Sequence, residues 1–428
     1  MLDIKLFRES PDVIRSNLEK RGWTEEEMAV VDEVIECDRI WRKARQDGDR
    51  LKHERNVVSE EIAQLKKSGK DIAPKVRLMK DLSESIRKVD EEIESQLSKR
   101  DALLLKIPNL MHESVPVGKD DSDNVPIRQW GEPKKYDFPL KSHQDIIEDL
   151  GQGDFRFSGK TSGAGFYYLY EDMVMLDYGL MMFAVDFLRD KGFTVVEPPL
   201  MLRRKAMSGL VDISDFEDVL YRLEGEDLYL IATSEHPLGA MHMGEKLREK
   251  DLPLRYCGIS PCFRKEIGAH GVDTRGIFRT HQFNKVEQFI YSTPEQSWAE
   301  HELMISNAEE LHEKLEIPFR IVNVCTGDLG GTAAKKYDLE AWMAKQQAYK
   351  EVVSCSNCTT YQARKLNIRF DRAGGDREFV HTMNSTAIAT SRTMIAILEN
   401  NQQEDGTVMV PKVLRPYMNN LDIIGKVK

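Results

Sequence analysis

The chain has 428 residues, of which 41% are hydrophobic and 31% charged, and its formal net charge is -11 at pH 7. Such a composition is typical of a water-soluble globular protein, and the length exceeds what one hydrophobic core usually supports, so we expect two domains. The negative charge argues against a protein that binds nucleic acid by bulk attraction.

Neither the start of the chain nor its cysteines indicate an exported protein. The first residues carry charges where a signal peptide needs an apolar centre, and no segment is apolar enough to span a membrane. Six cysteines in so long a chain form no disulfide framework and suit a reducing compartment. We therefore expect a cytoplasmic protein without a membrane partner.

Two long runs of helical apolar spacing occupy most of the first hundred residues. The first extends from Val31 to Leu65 and the second from Val76 to Leu97, with Gly69 and Pro74 between them as breakers. Their spacing predicts an antiparallel coiled-coil arm over about residues 28–104, within an N-terminal domain of residues 1–110. An oligomerisation device and an RNA-binding arm are both open from these residues alone.

A segment rich in Pro, Asp and Gly, residues 111–139, predicts a loose connector to a second domain of residues 140–428. In that domain a helix is predicted over about residues 170–191, followed by the strand GFTVVEPPL at 192–200. The nearby SGKTSGAG is no phosphate loop, because GxxxxGK[ST] needs glycine where Asp154 stands.

Ahead of the next motifs, IATSEHPLGA begins at Ile231 and places Thr233 and Glu235 just before a predicted helix start near Pro237. A helix cap would by itself explain Thr233 or Ser234. It would not explain a glutamate and a histidine beside them, so these residues favour a polar binding site.

The segment FRKEIGAHGVDTRGIFRTHQFNKVEQF, residues 263–289, predicts two strands joined by a glycine-rich loop. Strand alternation puts Arg264 and Glu266 on one face of the first strand. On the second strand the residues that share a face are Arg279, His281, Phe283, Lys285 and Glu287. Burying these charges without partners would cost several kcal/mol each, so the face lines either solvent or a charged ligand. An aromatic ring among cations favours a nucleotide over solvent.

A strand-like REFVHTMN precedes a run of helical apolar spacing from Thr386 to Leu398. Arg392 lies on the same helical face as Ile388 and Ile395. An arginine on an apolar face is either a side chain that reaches out of the core edge or a clamp for phosphate.

These segments, with the strand at 192–200 that ends near Pro199, resemble motifs 1, 2 and 3 of class II aminoacyl-tRNA synthetases. IATSEHPLGA, EVVSCSNCTTYQARK from Glu351 and VPKVLRPYM up to Met418 resemble the seryl-tRNA synthetase family in its common zinc-free type. The CxxC of Cys355 and Cys358 lacks a second ligand pair, so no zinc site is expected.

The resemblance implies an α+β fold, with the class II synthetase antiparallel sheet flanked by helices and an N-terminal antiparallel coiled-coil arm. Motif 1 would lie near residues 171–200, motif 2 near 254–290 and motif 3 near 380–402. Motif 1 and its helix would form a homodimer interface.

The resemblance also implies the ligand contacts. Arg264 and Arg392 would be catalytic, and Mg²⁺ would bind with ATP through Glu351 and Ser354. The implied ATP-binding residues are Arg264, Lys265, Glu266, Arg275, Thr280, Phe283, Glu351, Val352, Val353, Ser354 and Arg392. The implied L-serine-binding residues are Thr233, Ser234, Glu235, Arg264, Glu287, Asn384 and Thr386.

By this resemblance the chain would activate L-serine with ATP and transfer it to tRNA(Ser), with tRNA(Sec) as a further substrate. The alternative is a synthetase-like ligase that loads an amino acid on a carrier protein, but such a ligase is expected to lack the long arm. A non-catalytic RNA-binding scaffold would have no need for Arg264, Glu266, Glu351 and Arg392 together.

Overall fold

The computed structural model describes residues 1–211, 219–266 and 276–427. The chain divides into two compact units, one formed by Leu2–Pro108 and the other by Asn109–Lys428 together with Met1. Among the described residues no helix combines the length and the apolar character needed to cross a membrane.

The smaller unit is helical, and two long helices form most of it. Its helices are α1 (Ile4–Glu9), α2 (Pro11–Lys20), α3 (Glu25–Lys67) and α4 (Ala73–Lys106). A capping box begins α3, because Thr24 accepts from the Glu27 N–H while the Glu27 carboxylate accepts from the Thr24 N–H. Ion pairs from α3 to α4 join Lys52 to Asp90 and Glu61 to Lys75, so one helix runs antiparallel to the other. The predicted hairpin of helices is confirmed.

One buried carboxylate, that of Asp38, binds three arginines in this unit. The Asp38 side chain is 1% exposed, and its oxygens lie 2.7 Å from Arg8, 3.0 Å from Arg42 and 3.2 Å from Arg100. Burial acts to raise the pKa of Asp38, but the hydrogen bonds from Arg8 and the three positive charges outweigh it and hold the pKa below its usual value. Asp38 therefore joins α1, α3 and α4 through charge-assisted hydrogen bonds.

The larger unit is built on an eight-stranded sheet with the order β1-β10-β11-β12-β15-β9-β8-β4. All neighbours in it are antiparallel except β4 and β8. Its strands are β1 (Val125–Trp130), β4 (Thr194–Val196), β8 (Leu254–Phe263), β9 (Gln282–Ser292), β10 (Phe319–Asn323), β11 (Lys335–Met343), β12 (Ala348–Asn357) and β15 (His381–Ala389). The shorter strands are β2 (Gly153–Asp154), β3 (Tyr168–Leu169), β5 (Met201–Leu202), β6 (Tyr229–Leu230), β7 (Lys246–Arg248), β13 (Arg369–Asp371), β14 (Arg377–Phe379), β16 (Val408–Met409) and β17 (Ile423–Ile424).

Helices cover the sheet and contribute to its main core. The described helices of this unit are α5 (His143–Leu150), α6 (Arg156–Thr161), α7 (Glu171–Asp190), α8 (Arg204–Met207), α9 (Glu235–Ala240), α10 (Ser297–Lys314), α11 (Tyr361–Leu366) and α12 (Thr390–Asn401). Leu180 of α7, Ile305 of α10 and Ile395 of α12 are fully buried in one cluster with Val286 and Ile290 of β9. The expected α+β fold with an antiparallel sheet flanked by helices is confirmed, as is the helix predicted over residues 170–191.

Several elements differ from the sequence-based expectation. β8 ends at Phe263 and β9 begins at Gln282, so the residues expected at the facing ends of these strands lie between them: Arg264, Glu266, Arg279 and His281. Thr386 was expected to begin a helix, but it lies in β15 opposite Glu287 of β9, and the helix begins at Thr390. Ladder hydrogen bonds to β9 outweigh the local helical spacing there. Within the expected loose connector, β1 pairs with β10 as the edge strand of the main sheet.

We predict that Asp38→Ala destabilises the smaller unit by about 2–3 kcal/mol, because three arginines lose their shared buried carboxylate. Hydrogen exchange of peptides from α3 and α4 in the full chain measures this local stability. Asp32→Ala is the matched control, since Asp32 is 65% exposed and pairs with Arg15, and it should cost no more than about 0.5 kcal/mol. Equal acceleration of exchange in both variants would contradict the role given to Asp38.

Candidate active site

A polar cavity of about 290 Å³ opens on the face of the sheet opposite the main helical core. Its walls come from β9, β12 and β15, from the segments after β8 and before β9 and β11, and from the starts of α9 and α12. The lining residues are Thr233, Glu235, Arg264, Glu266, Phe278, Arg279, Thr280, Phe283, Lys285, Glu287, Thr332, Glu351, Val352, Ser354, Ser356, Asn384, Thr386, Ala389, Ser391 and Arg392.

The alternation of side chains along the strands determines which residues form the base of the cavity. On β9, Lys285 and Glu287 face the cavity while Val286 between them enters the core. On β15, Thr386 lies directly opposite Glu287 in the antiparallel register. The same face therefore collects polar side chains from two neighbouring strands.

Two β-bulges turn toward the cavity side chains that strict alternation would place on the opposite face of the sheet. The pairing of β11 with β12 shifts register between Leu339 and Glu340, so Glu351 and Ser354 both line the cavity although they are three positions apart. The pairing of β15 with β9 shifts after Thr386, and Ala389 then lines the cavity as well. The bulges thus widen the set of side chains that one face can present.

Arg264 lies immediately after β8, with its guanidinium 5.2 Å from the centre of the Phe283 ring. Its main-chain N–H donates to the His281 carbonyl at 3.0 Å, which closes the hairpin beyond the last ladder pair. Its Nε donates to the Ala232 carbonyl at 3.3 Å, so one edge of the guanidinium is held by protein. The stack on Phe283 leaves a flat aromatic and cationic wall.

Arg392 reaches the cavity from the first turn of α12. Its guanidinium stands 5.0 Å from the centre of the Phe278 ring, and its Nη1 donates to the Glu351 carbonyl at 2.8 Å. The Glu351 carboxylate lies 3.5 Å away. Burial acts to raise the pKa of Glu351, but the positive charges of Arg392, Lys336 and Arg264 hold it below its usual value. Glu351 is therefore an anion at neutral pH.

Two carboxylates lie deep in the cavity beside one lysine. Lys285 Nζ is 2.6 Å from Glu287, and both side chains are at most 6% exposed. Burial, followed by the charge of Glu287, raises the pKa of Glu235 to about 7. Burial also raises the pKa of Glu287, against the opposing charge of Lys285. The pocket thus holds more acidic groups than its lysine neutralises, which is an arrangement that attracts a cation.

Hydrogen bonds orient these carboxylates. Glu235 Oε1 accepts from Asn384 at 3.0 Å and from Gln362 at 3.2 Å. The Thr386 hydroxyl donates to Glu287 at 3.4 Å. The Thr233 hydroxyl accepts from the Glu235 N–H at 3.1 Å just before α9, whose N-cap is Ser234, and Thr233 also lines the cavity.

The structure brings most of the residues expected from sequence to one cavity, with three outside its lining. The Ser234 hydroxyl donates to the Gly258 carbonyl, Val353 is buried in the apolar core, and the Lys265 N–H donates to the Val219 carbonyl. Arg275, expected to contact ATP, lies outside the described residues.

Several lining residues were not among the expected site residues. Lys285 shares the alternating face of Phe283 and Glu287, so strand period alone could have added it. No local pattern indicates Phe278 or Thr332, because their place depends on how distant segments pack. The unassigned lining residues are Phe278, Arg279, Lys285, Thr332, Ser356, Ala389 and Ser391.

The two cysteines of the CxxC lie inside the protein. Cys355 and Cys358 are buried and are not joined in a disulfide, and burial strongly raises the pKa of Cys355, which keeps it a thiol. No group of three or more His, Cys, Asp or Glu side chains in the described part of the chain is placed to hold a metal ion.

Comparisons with known proteins agree with this geometry. Residues 218–401 match the family model of the class II tRNA synthetase core domain (G, H, P, S and T), and residues 1–111 match that of the seryl-tRNA synthetase N-terminal domain. A serine–tRNA ligase of Methanocella arvoryzae is 51% identical over 99% of this chain and 100% of its own length.

Solved structures show the same likeness. The seryl-tRNA synthetase of Pyrococcus horikoshii complexed with ATP has a TM-score of 0.94 at 50% identity, with 100% of both chains covered. The cytoplasmic serine–tRNA ligase of Naegleria fowleri in complex with AMP has a TM-score of 0.89 at 36% identity, covering 100% of this chain and 99% of its own.

The antiparallel sheet with arginines on its open face and the match to the core model define a class II aminoacyl-tRNA synthetase. Within this class, the 51% identity to a serine–tRNA ligase over nearly the full chain and the match of residues 1–111 to the N-terminal domain model indicate one family. The chain belongs to the seryl-tRNA synthetase family, whose members are aminoacyl-tRNA ligases.

We predict that Lys285→Met destabilises the larger unit by about 3 kcal/mol at pH 8, because Glu287 then lies buried beside Glu235 without the lysine that pairs with it. Removal of the lysine raises the pKa of Glu287 in the folded chain further above its unfolded value of about 4.3. As pH rises, the unfolded chain therefore releases this proton before the folded chain does, and the loss of stability grows. The loss should therefore be smaller at pH 5. Urea unfolding followed by circular dichroism measures both values.

The control is the double variant Lys285→Met with Glu287→Gln, in which the glutamine keeps a partner for Thr386 but carries no charge. It should recover at least about half of the lost stability. A double variant as unstable as the single one would show that packing of the lysine chain, and not its charge, stabilises the site.

Proposed function

We propose that this chain is a serine–tRNA ligase that activates L-serine with ATP to seryl-adenylate and pyrophosphate and then transfers serine to the 3′ end of tRNA(Ser). The observation that carries the proposal is the order of charges along one cavity. Arg264 and Arg392 line it with their guanidinium groups, and the carboxylates of Glu235 and Glu287 lie in its buried part. This order suits a substrate with phosphates at one end and an ammonium group at the other.

The main task of the first step is to bring two anions together. The serine carboxylate must attack the α-phosphate of ATP, and the two groups repel each other. Arg264 would bridge them, while Arg392 would hold the γ-phosphate. Since the guanidinium of Arg264 is already fixed on Phe283 and the Ala232 carbonyl, little reorganisation is needed when charge develops.

The adenine would lie on the Phe283 ring. Glu266 would accept from its exocyclic amino group, and the position of that carboxylate is set by Arg279 at 3.8 Å. Glu266 has a positive φ of 48°, so the backbone turns sharply at the residue that would read the base. Thr280 has no hydrogen-bond partner for its hydroxyl within the described part of the chain, which leaves this buried group for the nucleotide.

Serine would be selected at the acidic end. Thr233 and Glu235 would receive its ammonium group, while Glu287, Asn384 and Thr386 would surround its hydroxyl. Alanine has no hydroxyl and would lose the hydrogen bonds that serine makes to these groups, and sites built to bond a hydroxyl discriminate by about 10⁴-fold or more. Threonine would be excluded by its additional methyl group.

The residues that face the triphosphate fit a magnesium ion. Glu351 offers an anionic carboxylate and Ser354 a hydroxyl on the same cavity wall, and Mg²⁺ prefers such oxygen donors together with phosphates. When bound, the ion would screen the charge of the triphosphate. Arg392 orients Glu351 through the carbonyl contact, so the carboxylate is placed before ATP arrives.

The remaining parts of the chain supply RNA binding and assembly. The helical hairpin would hold tRNA(Ser), and tRNA(Sec) would be a further substrate. We propose a cytoplasmic homodimer that buries the exposed apolar side chains of α7 and β4, which include Tyr178, Met182 and Val195 at 57%, 46% and 37% exposure. The helical hairpin is what separates the chain from a ligase that loads a carrier protein.

The test is serine-dependent exchange of pyrophosphate into ATP, measured for the wild-type chain across amino acids. Exchange should be strong with serine, and alanine, glycine and threonine should be poor substrates. Exchange with alanine or glycine but not with serine would overturn the assignment of the substrate. Transfer to tRNA(Ser) and to an acyl carrier protein, compared under the same conditions, separates the two rival ligases.

We predict that Arg392→Ala lowers kcat/KM for ATP in this exchange by on the order of 10²–10³-fold and leaves the affinity for tRNA(Ser) unchanged. Arg392→Lys keeps the positive charge but not the planar guanidinium, so its kcat/KM for ATP should lie between those of the wild type and Arg392→Ala. Removal of Leu2–Pro108, which form a compact unit of their own, should do the reverse: exchange persists while tRNA binding is lost. Equal loss of both activities in both proteins would contradict this division of roles.

A further inference from the structure

Residues 276–281, which precede β9, are attached to α12 at two points. Arg392, in the first turn of the helix, stands 5.0 Å from the centre of the Phe278 ring. Glu399 lies seven positions later, two helical turns along the same face. It is bound to His143, and His143 is in turn bound to the main chain of Ile277.

The contacts of the second attachment are specific. His143 Nδ1 is 3.2 Å from Glu399 Oε1, and the Ile277 N–H donates to His143 Nε2 at 3.3 Å. Glu399 also accepts from the main-chain N–H groups of His143 at 3.3 Å and Lys345 at 3.0 Å. The side chains of His143 and Glu399 are 7% and 1% exposed, so water scarcely competes.

These contacts assign the proton on the imidazole. Because Nε2 accepts from the Ile277 N–H, its lone pair is free of a proton, and Nδ1 carries the proton that it donates to Glu399. The carboxylate thus selects the tautomer that can hold Ile277, in the way a carboxylate orients a catalytic histidine.

Gly276 shows how closely the histidine approaches this segment. A Cβ built at Gly276 would lie 2.1 Å from His143 Nε2, and the residue has a φ of 70°. Only glycine fits that position beside the ring. The next residues, Ile277 and Phe278, are 0% and 7% exposed, and Phe278 and Thr280 line the cavity.

We propose that His143, oriented by Glu399, is a positioning residue for the ATP wall formed by Phe278 and Thr280. This inference rests on the proposed role of the cavity in ATP binding. His143 itself contacts neither Arg392 nor the other lining residues in the described hydrogen bonds; it sets the main chain of Ile277, and through it the ring on which Arg392 rests.

Two substitutions separate the two ends of the imidazole. The amide of His143→Asn takes the place of Nδ1 and can donate to Glu399, but it does not reach Ile277. The longer His143→Gln places an amide oxygen near Nε2 and can accept from Ile277. Both variants keep the main-chain bond from residue 143 to Glu399, so each controls for the other.

Calorimetry of ATP with magnesium, without serine, is the primary measurement. His143→Asn should weaken ATP binding by about tenfold, and His143→Gln by no more than about threefold. In pyrophosphate exchange KM for ATP should follow the same order, while KM for serine changes by less than about twofold because the acidic end is untouched.

Hydrogen exchange of peptides covering residues 276–283 in the wild-type chain gives an independent check. The Ile277 amide should exchange slowly in the wild type and faster in His143→Asn. Fast exchange in the wild type would overturn the inference without any variant, even if His143→Asn failed to fold.

The outcomes are distinct from those for the proposed function. Equal weakening of ATP binding in His143→Asn and His143→Gln would indicate a general structural role and overturn the inference. Equal increases in KM for ATP and KM for serine would do the same. Loss of serine dependence in a wild-type chain that still binds ATP would overturn the substrate alone. A wild type that binds no ATP would overturn both.

Discussion

Charged side chains on the open face of the sheet must either pair or face a charged ligand, and this constraint organises the larger unit. β9 has apolar residues toward the helical core and Lys285 and Glu287 on the other face, both almost fully buried. A buried ion pair is retained at a cost in desolvation and gives little net stability. The pair lies in the cavity lining next to Glu235, where a ligand of complementary charge would offset that desolvation cost.

The same constraint accounts for the two arginines. Arg264 rests on Phe283 and Arg392 on Phe278, so each guanidinium is supported by a ring and lines the cavity. Arginine side chains beside an antiparallel sheet differ physically from a glycine loop at a helix start, because the positive charge is carried by side chains and not by main-chain amides. The site is thus preorganised for anions before any ligand binds.

The smaller unit meets a similar requirement in a different way. Asp38 is buried among Arg8, Arg42 and Arg100, so its charge is satisfied inside the protein and is not available to a ligand. The long helices beyond this point have narrow apolar stripes and mixed charges, and most of their surface stays in water. An arm of this kind is suited to contacts with a large partner such as RNA.

Much of this could be predicted from sequence because the signals are local. Helical period with Gly69 and Pro74 indicated the hairpin, and the alternation around Phe283 indicated a charged strand face. The family resemblance named most of the residues that line the cavity. Local spacing failed at Thr386, where pairing with β9 outweighs helical periodicity, and in the connector, where β1 becomes ordered only by pairing with the distant β10.

The sequence by itself determined the helical hairpin, the helix before residues 192–200, the family and the charged character of the site, since these follow from residue type, period and motif. Tertiary structure alone decided which side chains meet. The bulge in β12 turns Glu351 and Ser354 to one side, and packing of α5 against α12 brings His143 to Ile277. Such contacts join residues far apart in the chain, and their geometry depends on register and packing that no local pattern encodes.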